Sequence, residues 1–148
     1  MISFTITTPE RTLVDEQVDS ISLPTQMGEI TVLENHIPLV ANLVPGEIVY
    51  RKGGESKYFA VSGGFIEINK DNRVVILADT AEFGHEIDID RAMKAREEAK
   101  KMMQESYHDE TAFAEASAAM EKSLARIKVA KKHHTHTSHN LESGTLSD

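Results

Sequence analysis

From Met1 to about Thr80 the chain alternates apolar and polar residues at the two-residue period of a strand. "SFTITTP" sets Phe4 and Ile6 on one side and Thr5 and Thr7 on the other. "QVDSISLP" spaces Val18, Ile21 and Leu23 in near-alternation, and "GEITVL", "GEIVYR", "KYFAVSG", "GFIEINK" and "RVVILAD" follow. Successive side chains leave a pleated strand on opposite faces, so such runs bury one face and wet the other. Turn chemistry separates them at Pro24, Gly28, "PGE" (Pro45–Glu47), "KGGES", "SGG" and "NKDNR". Closely spaced short strands with such turns predict an antiparallel β-sandwich or barrel rather than a βαβ fold. "RVVILAD", apolar throughout, reads as a central strand buried on both faces.

The period changes at "EIDIDRAMKAREEAKKMM". From Asp88 to about Tyr107, Ala92, Ala95, Ala99, Met102 and Met103 recur at three- and four-residue steps, the spacing of one helix face. "SYHDET" interrupts the run. A second helical pattern covers roughly Thr111 to Lys131, with Phe113, Ala116, Met120, Leu124 and Ile127 on one stripe and Asp109 or Thr111 as its cap. So short a connection predicts an antiparallel helical hairpin. Its facing stripes are largely alanine, which lets the helices approach closely but buries little area. At ~25 cal/mol per Å² of apolar surface the contact is modest, and the hairpin is the part expected to move. The fold class is thus α+β, with a β-sandwich over residues 1–86 and a hairpin over 87–132. The last segment, 133–148, is "HHTHTSHNLESGTLSD", polar and aperiodic, and predicts a disordered tail. His133, His134, His136 and His139 there can capture a metal in vitro, but no function is assigned to them.

Composition narrows the chemistry. The 148 residues include no cysteine, which excludes disulfides, thiolate metal sites and cysteine nucleophiles. No apolar run approaches the roughly 20 residues that span a bilayer. "MISFTITTPERT" lacks the basic start and apolar core of a signal peptide, so the chain is expected to stay where it is made. The net charge of −8 is uneven: residues 1–86 hold 13 acids against 6 bases, and residues 87–148 hold 11 against 10. An acidic front half repels a phosphate backbone and argues against nucleic-acid binding. It suits a basic protein surface, or serves solubility alone.

No GxGxxG follows a strand, and GxxxxGK[ST], HExxH and GxSxG are absent. Of the seven histidines four lie in the tail; His36 falls in a loop, His85 at the domain junction and His108 in the interhelical turn. No nucleophile–base–acid set follows from spacing. Asp88 and Asp90, at a helix start, are explained by capping and the helix dipole better than as an acid/base pair. Arg91 lies three residues beyond Asp88, about one turn along the same face, and Lys122 and Arg126 stand four apart on the second helix. A folded hairpin can gather Arg91, Lys122 and Arg126 around one anionic group, with Asp88 orienting Arg91 or accepting from an adenine amino group. From the residues alone, a cap with solvated charges is the simpler reading, since exposed charges at helical spacing are common. The stretch "QMGEITVLENHIPLVANLVPGE" mixes acid, amide and imidazole groups, as loops that contact proteins do.

"GEITVLENHIPLV", "VSGGFIEINKDNRVVILADTAE" and "IDIDRAMKA", in that order, resemble the epsilon subunit of F-type ATP synthases, and the resemblance covers nearly all of residues 2–132. It implies a non-catalytic central-stalk rotor subunit whose sandwich binds the gamma subunit and rests on the c-ring. Glu29, in "GEI", and His36, in "ENHIP", match positions facing the ring and the foot of gamma. Ile87-Asp88-Ile89-Asp90-Arg91-Ala92 fully matches a motif, I-D-x-x-R-A, that helps bind ATP between the folded helices in several bacterial members. The resemblance implies ATP as a regulatory ligand rather than a required cofactor, held by Asp88, Arg91, Lys122 and Arg126, with Glu82 nearby. A second-helix pair that is often two arginines is here Lys122 and Arg126, and lysine offers a point charge in place of a planar fork. Without ATP, the helices are expected to extend toward the alpha and beta catalytic subunits and obstruct hydrolysis. The implied location is the cytoplasmic face of a bacterial cell membrane, peripheral, reached through the complex. The rival expectation is a free-standing ATP-binding sensor.

Overall fold

Ile2, Phe4 and Ile6 in the first strand are all fully buried, while Ser3, Thr5 and Thr7 between them are not. The same alternation builds ten strands: β1 (Ile2–Thr7), β2 (Thr12–Val18), β3 (Ser20–Thr25), β4 (Gly28–Val32), β5 (Leu39–Leu43), β6 (Gly46–Lys52), β7 (Glu55–Val61), β8 (Gly64–Ile68), β9 (Arg73–Ala78) and β10 (Ala81–Phe83). A short 3-10 turn, Gly84–Glu86, leads to helices α1 (Ile89–Glu105) and α2 (Glu110–Thr145). The computed structural model describes residues 1–145, and side chains through residue 133.

The strands are ordered β10-β7-β6-β3-β5-β8-β9-β1-β2, with β4 on β3. Pairing is antiparallel except between β1 and β9, which run parallel. β3 and β5 share only Thr25↔Leu43, so the sheet breaks there into two layers. β10, β7, β6, β3 and β4 form one, and β5, β8, β9, β1 and β2 the other. Their inner faces enclose Ile21, Leu23, Ile48, Ile66, Val74 and Ile76. Ring contacts run through this core from Phe4 to Tyr50 (5.3 Å), Phe59 (5.6 Å) and Phe83 (4.4 Å).

The strands differ from expectation in places. β9 is buried on one face only, by Val74, Ile76 and Ala78, while Leu77 is 55% exposed. Among the described residues no helix covers that outer surface, so the apolar run there is a surface feature and not a core signal. "QVDSISLP" is not one strand: β2 ends at Val18 and β3 begins at Ser20. β4 falls on the expected "GEITVL", but the stretch after it also supplies β5, Leu39–Leu43, where only a loop was expected.

Each helix begins with an aspartate. The Asp88 carboxylate accepts from the Arg91 amide at 3.2 Å, and Asp109 accepts from the Thr111 and Ala112 amides, both at 3.1 Å. Ala92 and Ala99 are the buried residues of α1, matching the alanine face expected. On α2 the buried positions include Ala116, Ser123, Ile127 and Ala130, while Phe113 (38%) and Leu124 (45%) lie exposed, contrary to the stripe read from sequence. Small residues take the inside because the helix axes pass close, and bulkier ones move to the flanks.

Residue 133 was expected to open a structureless tail, yet α2 continues to Thr145. Extending an existing helix needs no new nucleus, and no proline interrupts the segment. His133 packs on the sandwich-to-helix turn: a Cβ on Gly84 would lie 2.7 Å from the His133 Cβ. The side chains of His134, His136 and His139, and residues 146–148 altogether, lie outside the described residues.

Candidate functional site at the sandwich–hairpin junction

The registers of three strands define the surface beneath α2. Glu47 on β6 pairs with Ala60 on β7, and Ala60 pairs with Glu82 on β10. All three face outward, since the core takes their neighbours Ile48, Phe59, Val61 and Ala81. Two carboxylates therefore flank one small residue. Adjacent strands stand ~4.8 Å apart, which separates the two acidic positions by about 10 Å.

Helix α2 crosses this row. Arg126 forks onto Glu82, Nε donating to Oε2 at 2.7 Å and Nη2 to Oε1 at 3.3 Å. Lys132 donates to Glu47 Oε1 at 2.6 Å and lies 5.2 Å from the Tyr58 ring centroid. Six residues of helix rise about 9 Å, so the cations match the spacing of the acids. Between them Ile127, Val129 and Ala130 pack on Ala60, joined by Ile87 and Ala92. Glu47 Oε2 is buried without a hydrogen-bond partner among the described residues, which leaves Lys132 to balance that charge. At the turn, Arg11 binds Glu86 at 2.7 Å, and the rings of Phe83, His85 and His133 follow one another at 5.3 and 5.8 Å.

The residues singled out in the sequence fall into two groups. Glu82 and Arg126 meet directly. Asp88 and Arg91 stand at the start of α1, and Ala92 shares a cluster with Ile127, so Arg91 and Arg126 flank the same junction. Lys122 lies one turn before Arg126 on α2. Among the described residues the Arg91 and Lys122 side chains engage no carboxylate, while Arg126 is already occupied. Asp88 spends one oxygen on its own helix. Glu29 and His36 are not neighbours: Glu29 sits near the start of β4, and His36 lies past its other end, with Nδ1 2.7 Å from the Ile37 carbonyl. A groove of about 600 Å³ lined by Lys100, Met103, Gln104, Tyr107, Phe113 and Met120 lies at the opposite end of the hairpin.

Sequence reasoning did not find the Glu47–Lys132 and Arg11–Glu86 pairs. They join positions 85 and 75 residues apart, and only strand register reveals that Glu47 and Glu82 share a row.

A two-layer sandwich followed by a docked helical hairpin defines the class, and comparison with known proteins specifies it. Residues 1–84 match the family described as ATP synthase, Delta/Epsilon chain, beta-sandwich domain, and residues 85–131 its long alpha-helix domain. An ATP synthase epsilon chain from Anaeromyxobacter dehalogenans is 42% identical over 130 residues, spanning 87% of this chain and 97% of that one. One from Herpetosiphon aurantiacus is 43% identical, spanning 88% and 94%. A chain in the mitochondrial ATP synthase of Euglena gracilis, solved as OSCP/F1/c-ring, superposes with a TM-score of 0.76 at 31% identity, covering 87% of this chain and 80% of that one. The central stalk/c-ring structure from Tetrahymena thermophila shares the fold over 57% of this chain and 68% of its own, at 20% identity and a TM-score of 0.51. The chain belongs to the ATP synthase delta/epsilon family, as an epsilon-type, non-catalytic subunit.

Proposed function

We propose that this chain is a central-stalk rotor subunit of a proton-translocating F-type ATP synthase, which couples proton flow to ATP synthesis and restrains hydrolysis through its hairpin. The observation carrying this reading is the manner of docking: α2 is held to the sandwich by two ion pairs around a small alanine-rich cluster. Such a contact separates from its seat without dismantling the core. A few kcal/mol of differential binding shifts two packings of this kind.

The partners are the gamma subunit and the c-ring, with the alpha and beta subunits reached when the hairpin extends. The face of the second layer supports the stalk contact. Val40, Phe65, Val75 and Leu77 cluster there by register, and Val40, Phe65 and Leu77 are 73%, 58% and 55% exposed. Among the described residues no helix is long and apolar enough to cross a membrane, so attachment runs through the complex. Glu29 and His36 serve as contacts at opposite ends of β4.

ATP is proposed as the regulatory ligand of the compact form. Arg91 and Lys122 are the cations free to meet phosphates, and Asp88 keeps one oxygen for a donor. Arg126 joins them by exchanging Glu82 for a phosphate, which costs part of the binding energy. Calorimetric titration of the isolated chain with ATP is expected to give saturable heat that Arg91→Ala abolishes. Absence of heat with the unmodified chain would remove the nucleotide role and leave the rotor role standing. Co-purification with gamma under native conditions tests the latter, and a chain recovered alone would overturn it.

A further inference from the structure

The alanine seam of the hairpin leaves bulkier side chains beside it. Ala99 and Ala116 are buried between the helices, and the groove of about 600 Å³ at the far end is lined by residues of both. Lys100, Met103, Gln104 and Tyr107 come from α1, and Phe113 and Met120 from α2. Small-molecule sites of about 300–1,000 Å³ have this make-up, with apolar and aromatic walls and a few polar groups. We propose that the groove binds a small amphiphilic anion, a medium-chain monocarboxylate, with its head group at Lys100 and Gln104 and its chain across Met103, Phe113 and Met120.

Charge selects the head group. Glu97 pairs with Arg96 at 3.3 Å and Glu105 with Lys101 at 4.0 Å, and among the described residues the Lys100 ammonium meets no carboxylate. Glu121, next to Met120, is not among the lining residues. In a chain of net charge −8, an uncommitted lysine on an apolar rim favours an anion over a cation or a neutral chain. Gln104, one turn after Lys100, adds an amide donor, and Tyr107 closes the groove about 10 Å along the helix. The walls suit an alkyl chain, because methionine side chains reshape to fill irregular gaps. A concave site of this volume takes a single chain, whereas a bilayer needs a broad face. An occupant touching both helices adds apolar contact where alanines supply little, and so holds α1 to α2. The groove lies at the other end of the hairpin from Arg91 and Arg126, and the inference stands whether or not ATP binds.

Methionine methyl resonances of the full-length protein, recorded without nucleotide, test it. The six methionines include Met103 and Met120 in the groove, with Met1 and Met27 in the sandwich half as controls. Decanoate, kept below its micelle concentration, is expected to shift Met103 and Met120 saturably and to leave Met1 and Met27 in place. Lys100→Gln is expected to weaken decanoate about fivefold, while decanol, which lacks the charge, binds both proteins alike. Phosphatidylglycerol vesicles are expected to shift none of these signals. Absence of a saturable shift at Met103 and Met120, or equal decanoate affinity in Lys100→Gln, would overturn the inference. Shifts with vesicles but not with decanoate would make the groove a membrane contact and overturn it as well.

Discussion

Gly64 illustrates how one residue limits this fold. Its φ is +138°, and a Cβ there would sit 2.1 Å from the Leu77 carbonyl oxygen, a backbone atom that cannot swing aside. Gly64→Ala is expected to destabilise the protein by about 3 kcal/mol through combined strain and overlap, read as a lower urea midpoint at unchanged slope. Glu16 carries a different constraint. A hydrogen bond from the Tyr50 hydroxyl and the nearby Lys52 ammonium hold its carboxyl below its ordinary 4.5, against an opposing push from burial. Burial and the same carboxylate drive the Tyr50 phenol well above its usual range, so it stays a donor even in alkaline solution. A folded-state value below the unfolded one gives stability that is complete above 4.5 and is lost as pH falls through the depressed value. Glu16→Gln is therefore expected to flatten the acid limb of stability against pH, and a limb unchanged in slope would contradict the assignment.

Among the elements, the seat of α2 depends on charges that must leave water together. The Glu47 side chain is 9% exposed and has one oxygen without a partner among the described residues, whereas Lys132 is 40% exposed. Lys132→Met strands a buried carboxylate and is expected to cost about 1–2 kcal/mol, a figure reduced by the solvent reaching the lysine. Adding Glu47→Leu should restore most of the loss, because no charge then remains to be buried; chemical denaturation of the four-member cycle measures the coupling. The same region marks what sequence could reveal. Alternation located most strands, and Asp88, Asp109 and the alanine periodicity located both helices, since all are local signals. The split of "QVDSISLP" at Asp19 and the one-sided burial of β9 depend on which strand pairs with which, and local pattern does not encode that. Phe113 and Leu124 misled because helical spacing names a stripe without saying how close the partner helix comes. Of the residues named in advance, Asp88 does cap α1 and Arg126 does meet Glu82, whereas Glu47 and Lys132 waited on register.

At the scale of the molecule, the two halves are held by unequal means. The sandwich encloses a continuous apolar core from Ile2 to Ala81, while among the described residues the hairpin and its linker meet it at a small cluster in which Ile87, Ala92, Ile127, Val129 and Ala130 pack around Ala60 of β7. Hydrophobic stabilisation follows apolar area, so opening the hairpin forfeits much less than opening the sandwich. That inequality is what the proposed regulatory role requires, because a few kcal/mol from a ligand or partner can move the helices only if the platform stays intact. Arg126 sets the size of the step, being forked and the more buried of the two cations. Arg126→Met removes the fork and keeps the apolar stem, leaving Glu82 exposed to water once the helix lifts. Hydrogen exchange followed by mass spectrometry is expected to show α1 and α2 exchanging roughly tenfold faster in this variant, equivalent to about 1.4 kcal/mol, with β1 and β9 unchanged. Equal acceleration in both halves would mean that sandwich and hairpin open as one unit, and a hairpin that cannot lift alone cannot act as the regulatory arm.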